Sequence, residues 1–227
     1  MAIIDGQGIL SHASKLELSQ RVSIAQVKSQ SGRRSAQRRG PLLYTLKLEV
    51  GNARLNSDKY YEILEEIMAL SYGEHTLRFK FNKGTSEATK ITTLRGNWSG
   101  TPVVRTEGLT GTGMKISGCL SNDPSYARTM DYVQFGGSTK VYQVSPALVG
   151  GSSGNLPLHT YAANSSGDLD FTLNSPLVNP PAQGSTVVFG EDVTFHMMIG
   201  SIPSVTYLPG DIVEFGSFEF EEVIADI

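Results

Sequence analysis

The sequence predicts a mainly β protein: a β-sandwich or barrel with one flanking α-helix and an inserted small β-barrel domain. Three observations predict it. Apolar and polar residues alternate at period two in several segments, as half-buried strands require. Gly reaches 24 of 227 residues, and with the abundant Ser, Thr and Asn it predicts many turns and hence many strands. Only one stretch carries convincing three- and four-residue apolar spacing.

Val22, Ile24 and Val27 alternate with polar residues up to Lys28, and Leu42, Tyr44, Leu46, Leu48 and Val50 alternate in the same way. The polar SQSGRRSAQRRGP lies between them, with Gly32, Gly40 and Pro41. Two strands around such a segment predict a long hairpin with a basic tip. The helix follows. Asn56, Ser57 and Asp58 are its N-cap candidates. Tyr60, Ile63, Leu64, Ile67, Met68 and Leu70 form its apolar stripe, Glu62, Glu65 and Glu66 its solvated face, and Gly73 its stop. His75 to Phe81 predicts a strand with Leu77, Phe79 and Phe81 inward.

Composition changes near Trp98. Residues 99–190 are rich in Gly, Ser, Thr, Asn and Pro and predict the inserted domain; residues 1–98 and 191–227 predict the domain around it. Within the insert, Tyr132–Phe135 and Lys140–Val144 flank Gly136-Gly137-Ser138, a hairpin whose glycines supply positive φ. The GGSSG segment and residues 174–184 read as loops. Strands Val193–Ile199 and Val213–Ile224 return to the first domain. In the last, Glu222 shares a face with Phe218, Phe220 and Ile224, so the alternation is imperfect.

Charge is divided along the chain. From Leu18 to Leu48 there is no acid, but there are Arg21, Lys28, Arg33, Arg34, Arg38, Arg39 and Lys47. After Lys140 there is no Lys or Arg, and the acids run from Asp168 to Asp226. The net charge is only −3. Two readings follow. Copies meet head to tail through opposite charge, or the two regions neutralise each other within one subunit. The lone Cys119 excludes an intrachain disulfide and a zinc cluster. The first residues carry no basic charge before their apolar run, and no apolar run nears the roughly 18 residues that span a bilayer. A soluble, intracellularly made protein is the expectation.

Catalytic patterns fail on inspection. Gly150 to Gly154 formally matches G-x-S-x-G around Ser152, but Asn155-Leu156-Pro157 follows where a helix is required. Gly108 to Gly113 begins like a phosphate loop, but Met114 precedes Lys115 and no Ser or Thr follows. His12, His75, His159 and His196 stand in no ligand spacing. Asp168 and Asp170 read as solvated strand residues rather than calcium ligands. No enzyme activity, cofactor or metal is expected. The arginine cluster lacks interleaved aromatics for base stacking, so a tip that docks on a neighbour is favoured over nucleic-acid binding. Trp98, Tyr126, Tyr132, Tyr142 and Tyr161 are the aromatics that could stack on sugars.

Three motifs carry a resemblance. VSIAQVKSQSGRRSAQRRG followed by LLYTLKLEV resembles the opening of tail proteins of long-tailed bacteriophages. MDYVQFGGSTKVYQV, Met130 to Val144, is similar to the G-D-x-[IV]-x-F-x-G-x-x-K-V-Y-x-V signature of the inserted domain of minor tail, distal-tail-like proteins, with Met130 in place of the usual Gly. FGSFEFEEVI resembles their last strand. The resemblance implies a tail-tube-like β core and a homohexameric ring at the tail tip or baseplate, with the inserted barrel outside. Its implied partners are further copies of itself, the tail-tube protein, and the hub, baseplate and receptor-binding parts. DNA passes only in transit, no membrane is involved, and the location is the virion, after synthesis in host cytoplasm. Arg33, Arg34, Arg38 and Arg39 on one side and Glu219, Glu221 and Glu222 on the other are the expected interface residues. The alternative reading is a carbohydrate- or nucleic-acid-binding module of a virion.

Overall fold

The computed structural model describes residues 2–22, 24–28, 34–38, 40–71, 75–81, 92, 94–106, 110–149 and 156–224. The first part of the chain forms β1 (Ala2–Asp5), α1 (Gln7–His12), β2 (Ala13–Arg21), β3 (Ile24–Lys28), β4 (Arg34–Arg38), β5 (Leu43–Val50) and β6 (Ala53–Arg54). Then come α2 (Asp58–Ser71) and β7 (His75–Phe79). The middle part forms β8 (Gly100–Val104), β9 (Gly113–Cys119), β10 (Ala127–Arg128), β11 (Tyr132–Phe135), β12 (Val141–Ser145) and β13 (Ala147–Val149). It continues with β14 (Leu156–Leu158), β15 (Thr160–Tyr161), β16 (Leu169–Leu173) and β17 (Val187–Phe189). The last part forms β18 (Phe195–Ser201), β19 (Val205–Leu208), β20 (Ile212–Phe215) and β21 (Ser217–Glu222). The fold is mainly β, as the alternation predicts.

One six-stranded sheet has the order β1-β7-β18-β21-β5-β2. Its period-two strands bury one face. Along β5 every second residue from Tyr44 to Val50 is buried, and along β21 Phe218, Phe220 and Glu222 are buried. Helix α2 covers that face with Tyr60, Ile63 and Leu70 in the core. Its cap is Ser57, whose Oγ accepts from the Tyr60 N–H at 3.3 Å. Met68 departs from the expected stripe and is 55% exposed. The predicted stop, Gly73, lies outside the described residues.

The second six-stranded sheet, order β17-β11-β12-β16-β9-β8, draws only on the middle of the chain. Its two ends meet. Val103 bridges Thr186, Val104 N–H donates to Ser185 O at 2.9 Å, and Gly184 N–H donates to Val104 O at 2.8 Å. A small barrel results, filled by Trp98, Met114, Ile116, Tyr126, Val133, Phe135, Tyr142 and Phe171, among others. The predicted Tyr132–Val144 hairpin is present as β11 and β12. Its turn has Gly137 at φ +80, while Gly136 serves close approach: a Cβ there would meet Thr186 Oγ1 at 2.7 Å.

Three differences from the sequence reading have plain causes. The partner of β5 is β2, residues 13–21, while β3 pairs with β4. The hairpin exists, but its strands continue past the sheet as a separate two-stranded ribbon. Second, Val213–Ile224 is not one strand. The chain turns at Gly216, whose N–H donates to Ser204 O at 2.8 Å, so β20 pairs with β19 and β6 and only β21 enters the large sheet. Third, α1 and β1 precede everything the alternation reveals, because each is too short to show a period.

Candidate functional site

The Lys140–Glu222 pair sits where the barrel meets the large sheet. Glu222 lies on the apolar face of β21 and is 4% exposed; Lys140, entering β12, is 1% exposed. Lys140 Nζ donates to Glu222 Oε2 at 2.6 Å and to Val141 O at 2.7 Å. The Tyr44 N–H donates to Oε2 at 3.1 Å and the Val141 N–H to Oε1 at 2.9 Å. The ammonium also lies 4.8 Å from the centre of the Tyr44 ring and 5.4 Å from that of Tyr142. Burial pushes the Glu222 carboxyl above its ordinary value, against the pull of Lys140 and the two N–H donors. Burial likewise holds the Tyr44 hydroxyl well above its ordinary value, so it stays neutral as it accepts from Gln20 and Asn174. One charge pair therefore ties β5, β12 and β21 together.

Asp131, in the same signature as Lys140, is fully buried. Its Oδ1 accepts from Arg95 N–H at 2.7 Å. Its Oδ2 accepts from Gly96 N–H at 3.1 Å, Trp98 Nε1–H at 2.7 Å and Arg128 N–H at 2.8 Å. The carboxylate fastens the segment entering the barrel to the turn before β11. Gly96 has no room for a side chain there, since a Cβ would meet Tyr126 O at 2.5 Å and Asp131 Oδ2 at 2.8 Å. The next residue back, Met130, has φ +79, the left-handed region glycine favours. A glycine would adopt that conformation without the strain a side chain brings.

The expected acidic interface residues pair within the chain. Glu221 receives Arg21 at 2.9 Å and Glu219 lies 3.8 Å from Lys47. Both are on the outward face of the large sheet, where Lys15 also pairs with Glu49 at 3.0 Å. A shallow groove of about 310 Å³ on that face includes Glu17, Lys47, Glu219 and Glu221 in its lining. Glu222 is buried and pairs with Lys140 of its own chain. Its place on the apolar side of β21 follows from the imperfect alternation noted in the sequence. These pairs show that part of the divided charge is neutralised within the chain.

The basic residues divide differently. Arg34 and Arg38 stand at register positions opposite Lys28 and Ile24 in the ribbon. Arg33 and Arg39 lie outside the described residues, as do Ser152 with its loop and Gly108. Among the described residues the ribbon pairs with no third strand.

Other sequence candidates find structural employment. Arg105 forks onto Asp168 at 2.6 Å and Asp170 at 2.8 Å, so the two aspartates are paired across the barrel wall rather than merely solvated; nothing in the local sequence announces Arg105. The aromatics considered for sugar stacking are mostly core. Trp98 stacks on Phe189 at 5.1 Å, Tyr126, Tyr142 and Tyr161 are buried, and Tyr132 packs against Tyr44 and Phe195. His12 Nε2 lies 2.9 Å from Glu62. His196 is buried, and burial with the nearby Arg78 lowers its pKa below the ordinary 6.5.

No protein-family model matches this chain, and no curated protein matches it.

Proposed function

We propose that the protein is a structural component of a phage tail. Its copies form a ring, of six in this reading, at the distal end, joining the tube to the hub or baseplate and the receptor-binding parts. The observation that carries the reading is the β3–β4 ribbon, which pairs with no third strand among the described residues. A two-stranded hairpin alone is marginal in water, and this one carries Lys28, Arg34 and Arg38 and no acid. Such an element gains stability when another surface covers it. The signature from Met130 to Val144 adds support of a second kind. Its two charged residues, Asp131 and Lys140, are both consumed in fastening the fold, which suits an architectural protein.

Native mass measurement of the purified protein tests this directly. A closed oligomer, visible as a ring in negative stain, is the expected result. A monomer at every protein and salt concentration would end the reading. Retention on immobilised DNA without self-association would move it to a nucleic-acid-binding module.

A further inference from the structure

We propose that the barrel of one copy docks the edge carrying Arg95 and Arg128 against the outer face of helix α2 of a second copy. The proposal rests on the ring reading above and names one contact that would build the ring.

The two arginines are rooted side by side. The Arg95 N–H donates to Asp131 Oδ1 at 2.7 Å and the Arg128 N–H to Asp131 Oδ2 at 2.8 Å, so one buried carboxylate fixes where both side chains start. Both residues are exposed. Their guanidiniums rest on neutral oxygens. Arg95 Nη1 donates to Thr129 O at 3.2 Å, and Arg128 Nη2 to Ser125 Oγ at 3.5 Å. A carboxylate is a stronger acceptor than either. Exposed His159 lies beside them, its Nδ1 3.5 Å from Thr129 Oγ1. Met130, next to Thr129, is 53% exposed. The nearby acids Asp123 and Asp131 are buried and accept from N–H donors inside the barrel. The edge therefore presents cations and one apolar side chain.

Helix α2 presents the complement. Its exposed positions Asp58, Tyr61, Glu62, Glu65 and Met68 recur at helical spacing along the side away from the core. Its one cation, Lys59, is half-buried and reaches Asn52 O at 3.4 Å. Glu62 lies 2.9 Å from His12 Nε2, and a guanidinium would share or displace that contact. The acids of β21 are less suited, because Glu219 and Glu221 already face Lys47 and Arg21 of their own chain. The spacings agree. Glu62 and Glu65 stand three apart on the helix, with Cβ atoms roughly 5–6 Å from each other, a separation that two arginines rooted on one carboxylate can match. Apolar surface accompanies the charge. Tyr61 is 49% exposed and Met68 55%, which gives Met130 a surface to meet. Ion pairs at such a contact set register and partner; the apolar residues supply adhesion. The barrel edge and the helix face are both exposed in the chain, so each is open to a second copy. Because they are different surfaces, the contact is head to tail and propagates from copy to copy.

The test uses the full chain in two reversed forms. One carries Arg95→Glu and Arg128→Glu; the other carries Glu62→Lys and Glu65→Lys. Sedimentation velocity at low salt reads assembly, and circular dichroism reads folding. Each reversed form alone is expected to need about tenfold more protein to assemble. An equimolar mixture is expected to assemble again, because each form then offers the surface the other requires. If the native chain assembles and both reversed forms assemble equally well, this contact is wrong and the ring stands. If reversal weakens assembly and mixing does not restore it, the two surfaces do not meet and the proposal fails. A native chain that never assembles removes the ring and the contact together. Lost DNA affinity of the arginine form with unchanged assembly assigns the barrel edge to nucleic acid and overturns the docking. Should a reversed form not fold, a milder pair reads the same contact: Met130→Cys in one copy and Tyr61→Cys in another, both with Cys119→Ser. A cross-link between the two copies by a short bifunctional maleimide supports the docking, and its absence in an assembled oligomer overturns it.

Discussion

Asp131 and Glu222 are both carboxylates shut away from water, and they are held by opposite means. Asp131 is surrounded by neutral N–H donors, three from the backbone and one from Trp98. Glu222 has two backbone donors and the full charge of Lys140. The first arrangement is local: its donors lie on segments that the carboxylate itself holds in place. The second joins strands of two different sheets. The contrast teaches that a buried charge fastens a loop with donors fixed by that loop, whereas the junction of two sheets uses a second charge brought by the other sheet. Desolvating both members of such a pair can cost as much as their attraction returns. Its worth lies in making any other packing of the barrel on the sheet leave a charge stranded.

The sharpest way to break the comparison is to remove one charge of the pair. Lys140→Met leaves Glu222 buried beside two N–H groups and is expected to destabilise by about 3–5 kcal/mol. Lys140→Met with Glu222→Gln should regain part of that loss, since no charge remains, although the amide N–H₂ must face one of the two backbone donors. Urea unfolding of the three proteins measures it; a double variant no better than Lys140→Met alone would mean that the pair acts through shape rather than charge. Next comes Asp131→Asn, expected to cost about 2 kcal/mol, because the amide sets its own N–H₂ against donors and leaves one of them unpaired. No second-site neutralisation should rescue it, and a rescue would erase the distinction between the two centres.

His196 sharpens the comparison through pH. Its folded pKa lies below the ordinary 6.5, so between those two values the unfolded chain holds more protons. Stability therefore falls as pH falls from about 6.5 toward the lower folded value. His196→Gln should flatten that limb of a stability–pH curve. A limb that survives the substitution must be assigned to another group, and not to Glu222, whose raised pKa gives the opposite slope. The smallest effect is expected at Met130, where φ +79 stores strain. Met130→Gly relieves it while adding freedom to the unfolded chain, for a net gain below about 1 kcal/mol in thermal unfolding.

The strongly periodic parts were legible in the sequence. The alternation of β5 and, apart from Met68, the stripe of α2 read correctly because each repeats over several residues, and the Gly-Gly hairpin because its turn chemistry is local. The partner of β5 was harder to see, because β2 is an edge strand whose Leu16 and Leu18 are only half-buried. The two carboxylate centres left unequal traces. Glu222 was visible as a charge on an apolar face, an irregularity whose meaning needed Lys140, 82 residues away. Asp131 left none, since its donors are backbone groups and one indole gathered by the fold. The ribbon was legible as basic sequence, but that it stands apart from the sheet follows from pairing alone.

The position of β21 has a consequence for how the chain is made. This late strand lies inside the large sheet, between β18 and β5, while the barrel strands are contiguous from residue 100 to 189. During vectorial synthesis the barrel can close as soon as its own residues have left the ribosome. The large sheet cannot: β5 waits beside an empty slot until residues 217–222 emerge. Throughout that interval Lys140 lacks Glu222, and Leu46 and Leu48 have a strand, β2, on one side only. Synthesis of residues 217–222 thus fills a gap, and the arrival of Glu222 is the event that latches the two halves.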